Sequence, residues 1–147
     1  MQSGDFLLAR GRARPAVEHF ERAVQWDSGS AALHHELALA LSHEGRSQDA
    51  VRALERAVRL APHEPQYLYA LGLAHNEVAD VPAAIAAFER VVALEPTLTR
   101  AWYSLALARG HVGDFDGALA ALAEVEALAP SESDVARVRA MLLARRG

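Results

Sequence analysis

A chain of 147 residues, 52% of them hydrophobic, has the length of one ordinary domain and enough apolar material for a continuous core. No apolar run reaches the roughly 18 to 20 residues of a spanning helix, so membrane insertion is not expected. The formal charge of −4, with every cation an arginine and the arginines spread along the chain, argues against a nucleic-acid partner; the lack of cysteine excludes disulfide and thiolate chemistry.

Residues Met1 to Arg10 lack a basic segment followed by an apolar stretch, so no secretory signal is evident and a cytoplasmic protein is expected. Met1 already falls inside a periodic helix, so the chain also reads as a segment of a longer protein whose targeting signal is not present. Arginine-only cations with abundant alanine look like the codon bias of a GC-rich bacterial genome.

Apolar residues recur at intervals of three and four, the helical period, and place nine helices at about 4–10, 15–26, 31–44, 48–60, 65–78, 82–94, 99–112, 116–128 and 133–145. The first is short and exposes Phe6, Leu7 and Leu8 unless something upstream covers them; either residues are missing or that end self-associates. Leu33, Leu37, Ala40 and Leu41 mark the third helix, and Ala50, Val51, Leu54, Val58 and Leu60 the fourth. Between these two, Gly45 can take the left-handed conformation that ends a helix, and Ser47 is expected to cap the next. Asp80 with Pro82, and Asp114, serve the same start in later units. The last helix sets Arg137, Arg139, Arg145 and Arg146 among Val135, Val138, Leu142 and Leu143, the polar outer face of a solenoid cap.

Pro62, Pro96 and Pro130 stand 34 residues apart, and the same shift superimposes whole columns. One reads Ala16, Ala50, Ala84, Ala118; another Phe20, Leu54, Phe88, Leu122; a third Leu37, Leu71, Leu105, with Ser3 as its degenerate first member, followed by Ala38, Gly72, Ala106 and Gly4. Gly11, Gly45, Ala79 and Gly113 form a turn column. These columns resemble the tetratricopeptide repeat, whose pattern is Trp-x2-Leu-Gly-x2-Tyr, then Ala-x3-Phe, then Pro, in a 34-residue unit. Trp102, Leu105 and Ala106 match the first half, with Arg109 where the family prefers an aromatic and Leu41 and His75 in that slot elsewhere. Ala84, Phe88 and Pro96 match the second half. The resemblance implies an all-α, right-handed superhelical solenoid of antiparallel helix pairs. It spans one domain, with repeats near 1–30, 31–64, 65–98 and 99–132 and a capping helix at 133–147.

No catalytic constellation stands out, and no cofactor is expected. Seven histidines invite a metal reading, but neighbouring His34 and His35 point about 100° apart on a helix, and the i,i+4 pairing of helical zinc motifs is absent. Serines 28, 30, 42, 47, 104, 131 and 133 sit mostly where helices start or end, as caps do. There is no Gly-x-Ser-x-Gly elbow and no glycine-rich phosphate loop. Glu18 with Arg22 and Glu55 with Arg59 read as solvated i,i+4 pairs.

In the family this chain resembles, the first helix of each pair lines a concave groove that holds an extended peptide or a partner helix. Carried over by column, the lining is His35, Tyr69 and Tyr103 with Arg137; Leu39, Leu73 and Leu107 with Met141; and Ser42, Asn76 and Gly110. His43, Glu77 and His111 follow, with Gln66 and Arg100 near the helix starts. The leucine column has two readings, groove lining or packing between successive first helices. The tyrosines fit an interface, since each offers a large apolar body and a hydroxyl. The lysines, asparagines and arginine with which some members clamp a C-terminal carboxylate are replaced here by Met1, Asp5, Glu36, Gln66 and Ala70, so that clamp cannot form. The resemblance thus predicts a non-enzymatic scaffold that binds a protein segment. Two alternatives stand beside it: the repeat region of a larger enzyme such as a glycosyltransferase, presenting substrate to a catalytic domain, and a self-assembling scaffold joined through its first helix.

Overall fold

The computed structural model describes residues 13–130 and 134–147. The helix expected at 4–10, the self-association assigned to it, the first members Ser3, Gly4 and Gly11 of the columns, and the clamp positions Met1 and Asp5 lie outside the described residues, as do Ser131 and Ser133.

All regular structure among the described residues is helical. The chain divides into two compact units, the first ending at Ala79 and the second beginning at Asp80. The first holds α1 (Ala13–Trp26), α2 (Ala31–His43), α3 (Ser47–Leu60) and α4 (Pro65–Glu77). The second holds α5 (Val81–Leu94), α6 (Thr99–His111), α7 (Phe115–Leu128) and α8 (Asp134–Arg146). Within each unit every helix packs on the next in sequence. Such short links between packed helices make antiparallel hairpins.

In the first unit the core is built from Ala16, Val17, Phe20, Leu37, Ala50, Leu54 and Leu68, all buried. Alanine columns let helix backbones approach, and the larger residue four positions on fills the space beside them. The second unit repeats the arrangement with Ala84, Phe88, Leu105, Ala118 and Leu122, each with no exposed surface.

The turns follow the same period. Gly45 and Gly113 take φ of 84° and 86°, and Ala79 holds the equivalent place at φ 63°. In both glycine turns the next amide reaches back to the carbonyl five residues earlier, Arg46 to Leu41 at 2.8 Å and Asp114 to Arg109 at 2.9 Å, which satisfies a helix-end acceptor. Asp80 and Asp114 cap α5 and α7 as expected, accepting from the amides of Ala83 and Gly117. Ser30 caps α2 through the amide of Leu33.

Two expectations are corrected. Ser47 does not cap α3: it is the first helical residue, Arg46 occupies the cap without a side-chain bond, and the Ser47 hydroxyl donates to Glu77 instead. The solvated pairs differ too. Among the described residues the same-helix ion pairs join arginine to aspartate at i,i+3, as in Asp49 with Arg52 and Asp134 with Arg137, rather than glutamate to arginine at i,i+4. Other pairs cross helices, Arg109 to Glu89 at 3.0 Å, Arg146 to Asp116 at 3.0 Å, and Arg139 to Glu126.

Candidate functional site

In two of the first helices a ring N–H reaches back over the preceding turn. In α6, Trp102 Nε1–H donates to the Pro96 carbonyl at 2.7 Å. In α2, His34 Nε2 bonds the Ser28 carbonyl at 3.0 Å, which requires the tautomer with the proton on that nitrogen. His34 and Trp102 are one column, and both rings bond the carbonyl six residues upstream. His34 is buried and committed to this bond, so it serves the scaffold.

With the buried faces so fixed, one side of each first helix remains open. In the first unit Leu39 and Leu73 are 39% and 42% exposed, in the second Leu107 and Met141 are 40% and 41% exposed. Four members of one column share the same partial exposure, beside buried Leu37, Leu71 and Leu105, so each keeps part of its side chain open to solvent while the rest packs on its neighbours. In the first unit, Leu39 and Leu73 line one cleft of about 360 Å³ with Ser42, His43, Ala70 and Glu77, over the buried Ala38, Leu54 and Ala74. The expected lining residues Leu39, His43, Leu73 and Glu77 therefore do converge.

Polar groups fix the rim of this cleft. Glu77 Oε2 accepts from the hydroxyls of Ser42 and Ser47, both at 3.1 Å, tying α4 to α2 and α3. That carboxylate is held in place rather than left to swing. His35 is half-buried and its ring lies 5.2 Å from that of Tyr67, tilted by 49°. Burial pushes the His35 pKa below the ordinary imidazole value, against an upward pull from neighbouring Glu36. Tyr69 is half-buried, while Gln66 and Asn76 are exposed.

In the second unit a cleft of about 320 Å³ is lined by Thr99, Arg100, Tyr103, Val125 and Asp134. It brings the expected residues Arg100 and Tyr103 together at the start of α6. Leu107 and His111 lie further along the same helix, outside that cleft and exposed. Arg109, which fills the aromatic slot, binds the Gly117 carbonyl at 3.1 Å and Glu89 at 3.0 Å. Its guanidinium thus holds α6 to α7 and α5, a structural duty. Gly110 is also displaced from the expected lining: it is buried, and a Cβ there would stand 2.6 Å from Leu142 Cδ2. A side chain there would force the buried Leu142 of α8 to shift.

Two tetratricopeptide repeat family models match the sequence, one over residues 7–74 and the other over residues 71–143. The chain belongs to the tetratricopeptide repeat family. No curated protein matches it. Several solved tetratricopeptide structures do. That of MamA has 23% identity and a TM-score of 0.90, covering 99% of this chain and 87% of that one. YrrB, described as a TPR protein with an unusual peptide-binding site, has 20% identity and a TM-score of 0.83, covering 96% and 73%. The first TPR of Spaghetti (RPAP3), bound to the HSP90 peptide SRMEEVD, has 18% identity and a TM-score of 0.73, covering 80% and 94%. At these identities the likeness establishes the fold, an all-α tetratricopeptide solenoid.

Three features of this tetratricopeptide chain escaped the sequence reading. His34 in the tryptophan column carries a signal, a ring N–H in the one slot where the family places indole. Tyr67 packs on His35 and is buried, although its column neighbours Leu33 and Ala101 gave no hint of an aromatic pair. A second exposed apolar column runs along the ends of the second helices, with Trp26 at 92% and Leu60, Leu94 and Leu128 less exposed. The 34-residue shift would have found it.

Proposed function

We propose that this tetratricopeptide protein is a non-catalytic interaction scaffold whose first-helix faces bind a segment of another protein, extended or helical. The observation that carries the reading is that each unit holds half-exposed members of one column, Leu39 and Leu73 with Tyr69, His43 and Glu77 in the first, Leu107 and Met141 with Tyr103 in the second. Half-exposed leucines in a cleft offer apolar area that a guest can cover, and a preformed helical surface loses little order on binding. Glu77, already held by two serines, is oriented before a guest arrives. Peptide binding described for YrrB and for the first TPR of RPAP3 supports the same use of the fold. The mode differs from carboxylate clamping, because Glu36, Gln66 and Ala70 put no cation at the clamp positions among the described residues.

The test is selection of displayed peptides on the full chain, followed by titration against wild type and Leu39→Asp plus Leu73→Asp. We expect selected segments to lose at least tenfold in affinity while helical circular dichroism is retained. Equal binding by this variant and by Leu107→Asp plus Met141→Asp contradicts the proposal.

A further inference from the structure

The two units carry the same apolar column but opposite ionic character beside it. Helices α2 and α4 have Glu36 and Glu77 and no arginine. Helices α6 and α8 have six arginines, at 100, 109, 137, 139, 145 and 146, against Asp134 alone. Three of these arginines face second-helix carboxylates, Arg109 to Glu89, Arg139 to Glu126 and Arg146 to Asp116. Arg100, Arg137 and Arg145 are exposed. Arg137 continues the column of Tyr103, Arg145 continues the column of His111, and Met141 between them continues the column of Leu107. Arg137, Met141 and Arg145 are all exposed, and Arg137 pairs with Asp134 at 3.2 Å.

The spacing along α8 is compatible with an extended ligand. Residues 137 and 145 are eight positions apart, about 12 Å along a helix axis. In an extended chain, residues i and i+4 lie on one face about 13 Å apart, with i+2 midway on that same face. We propose that the α6–α8 face of the second unit docks an extended acidic segment of the pattern Glu-x-Leu-x-Glu, with its carboxylates on Arg137 and Arg145 and its apolar side chain on Met141 and Leu107. Charge pairing at such exposed positions sets partner choice and register, while the apolar contact supplies area. This rests on the scaffold reading above and names the chemistry of the partner.

The probe is a fluorescein-labelled peptide Ser-Glu-Thr-Leu-Thr-Glu-Ser, with an analogue bearing lysine in place of both glutamates, each titrated against the full chain by fluorescence anisotropy. The acidic peptide should bind at least tenfold more tightly than the lysine analogue, and its affinity should fall with added salt. Arg137→Glu plus Arg145→Glu should invert the preference, and the milder Arg137→Gln plus Arg145→Gln should remove it. Equal affinities, or a charge-reversed variant that still favours the acidic peptide, overturn the inference. If segments selected on the full chain bind through Leu39 and Leu73 while the acidic probe does not bind, this inference falls and the scaffold reading stands. If neither the selected segments nor the probe binds, both fall.

Discussion

The first-helix pair α2 and α4 and the pair α6 and α8 solve the same packing problem with different residues. Over the preceding turn, α2 uses the imidazole of His34 where α6 uses the indole of Trp102. In the aromatic slot, α2 buries Leu41 while α6 spends Arg109 on a carbonyl and a carboxylate. At the seam, α2 offers Ser42 to Glu77, and α6 offers bare Gly110 to Leu142. The period fixes where a residue sits; the side chain decides which interaction holds that place. On these first helices the column of Leu39, Leu73, Leu107 and Met141 stays apolar in both units and half-exposed in both.

The sharpest break of this comparison sets core against column. Phe88→Ala should cost about 3–5 kcal/mol in urea unfolding, because a fully buried ring leaves a cavity. Leu107→Ala, at 40% exposure, should stay within about 0.5 kcal/mol. A large loss at Leu107 would return that column to the core. Next, Gly110→Ala should destabilise by about 1–3 kcal/mol, since fully buried Leu142 has to move. Asn76→Ala, in the same column but exposed, should be near neutral. Matching effects would erase the difference between the two seams.

The ring bonds give a smaller effect. Trp102→Phe and His34→Phe should each lose about 0.5–1.5 kcal/mol, the net worth of one hydrogen bond, and similar losses would show that the two rings do the same job. Ala79→Gly should gain up to about 1 kcal/mol, because the left-handed backbone strains an alanine and the flexible unfolded glycine returns part of that relief. The same change at Ala83, inside α5, should be destabilising. The smallest effect is in pH. The folded pKa of His35 lies below its unfolded value, so the unfolded chain binds the proton more readily. Its contribution is fully present above about pH 6.5 and is lost as pH falls through the lower folded value. Wild type should therefore lose stability relative to His35→Gln when thermal melts move from pH 7.5 to 5.5.

Much of this architecture is legible in the sequence, because burial repeats with the period. Ala16, Ala50, Ala84 and Ala118 are fully buried where one shift predicts a close-packed column. The Asp80 and Asp114 caps and the Gly45 turn are local chemistry, readable within a few residues. The open face is less legible, since a leucine at helical spacing looks the same in a core and in a groove. Exposure alone separated Leu39 and Leu73 from Leu37 and Leu71. Ser47 illustrates the remaining difficulty. Its position suits a cap, but Glu77, thirty residues away, competes for the hydroxyl and wins. No local rule contains that competition.

The central claim is that guests land on the first-helix column, and methyl resonances report it directly. A segment selected on the full chain would be titrated into methyl-labelled protein, and the shifts of individual leucine and methionine methyls followed. Movement is expected at Leu39, Leu73, Leu107 or Met141, with buried Leu68 and Leu122 and the second-helix residues Leu60, Leu94 and Leu128 unmoved. Shifts confined to Leu60, Leu94 and Leu128 would contradict it and move recognition to the other exposed column.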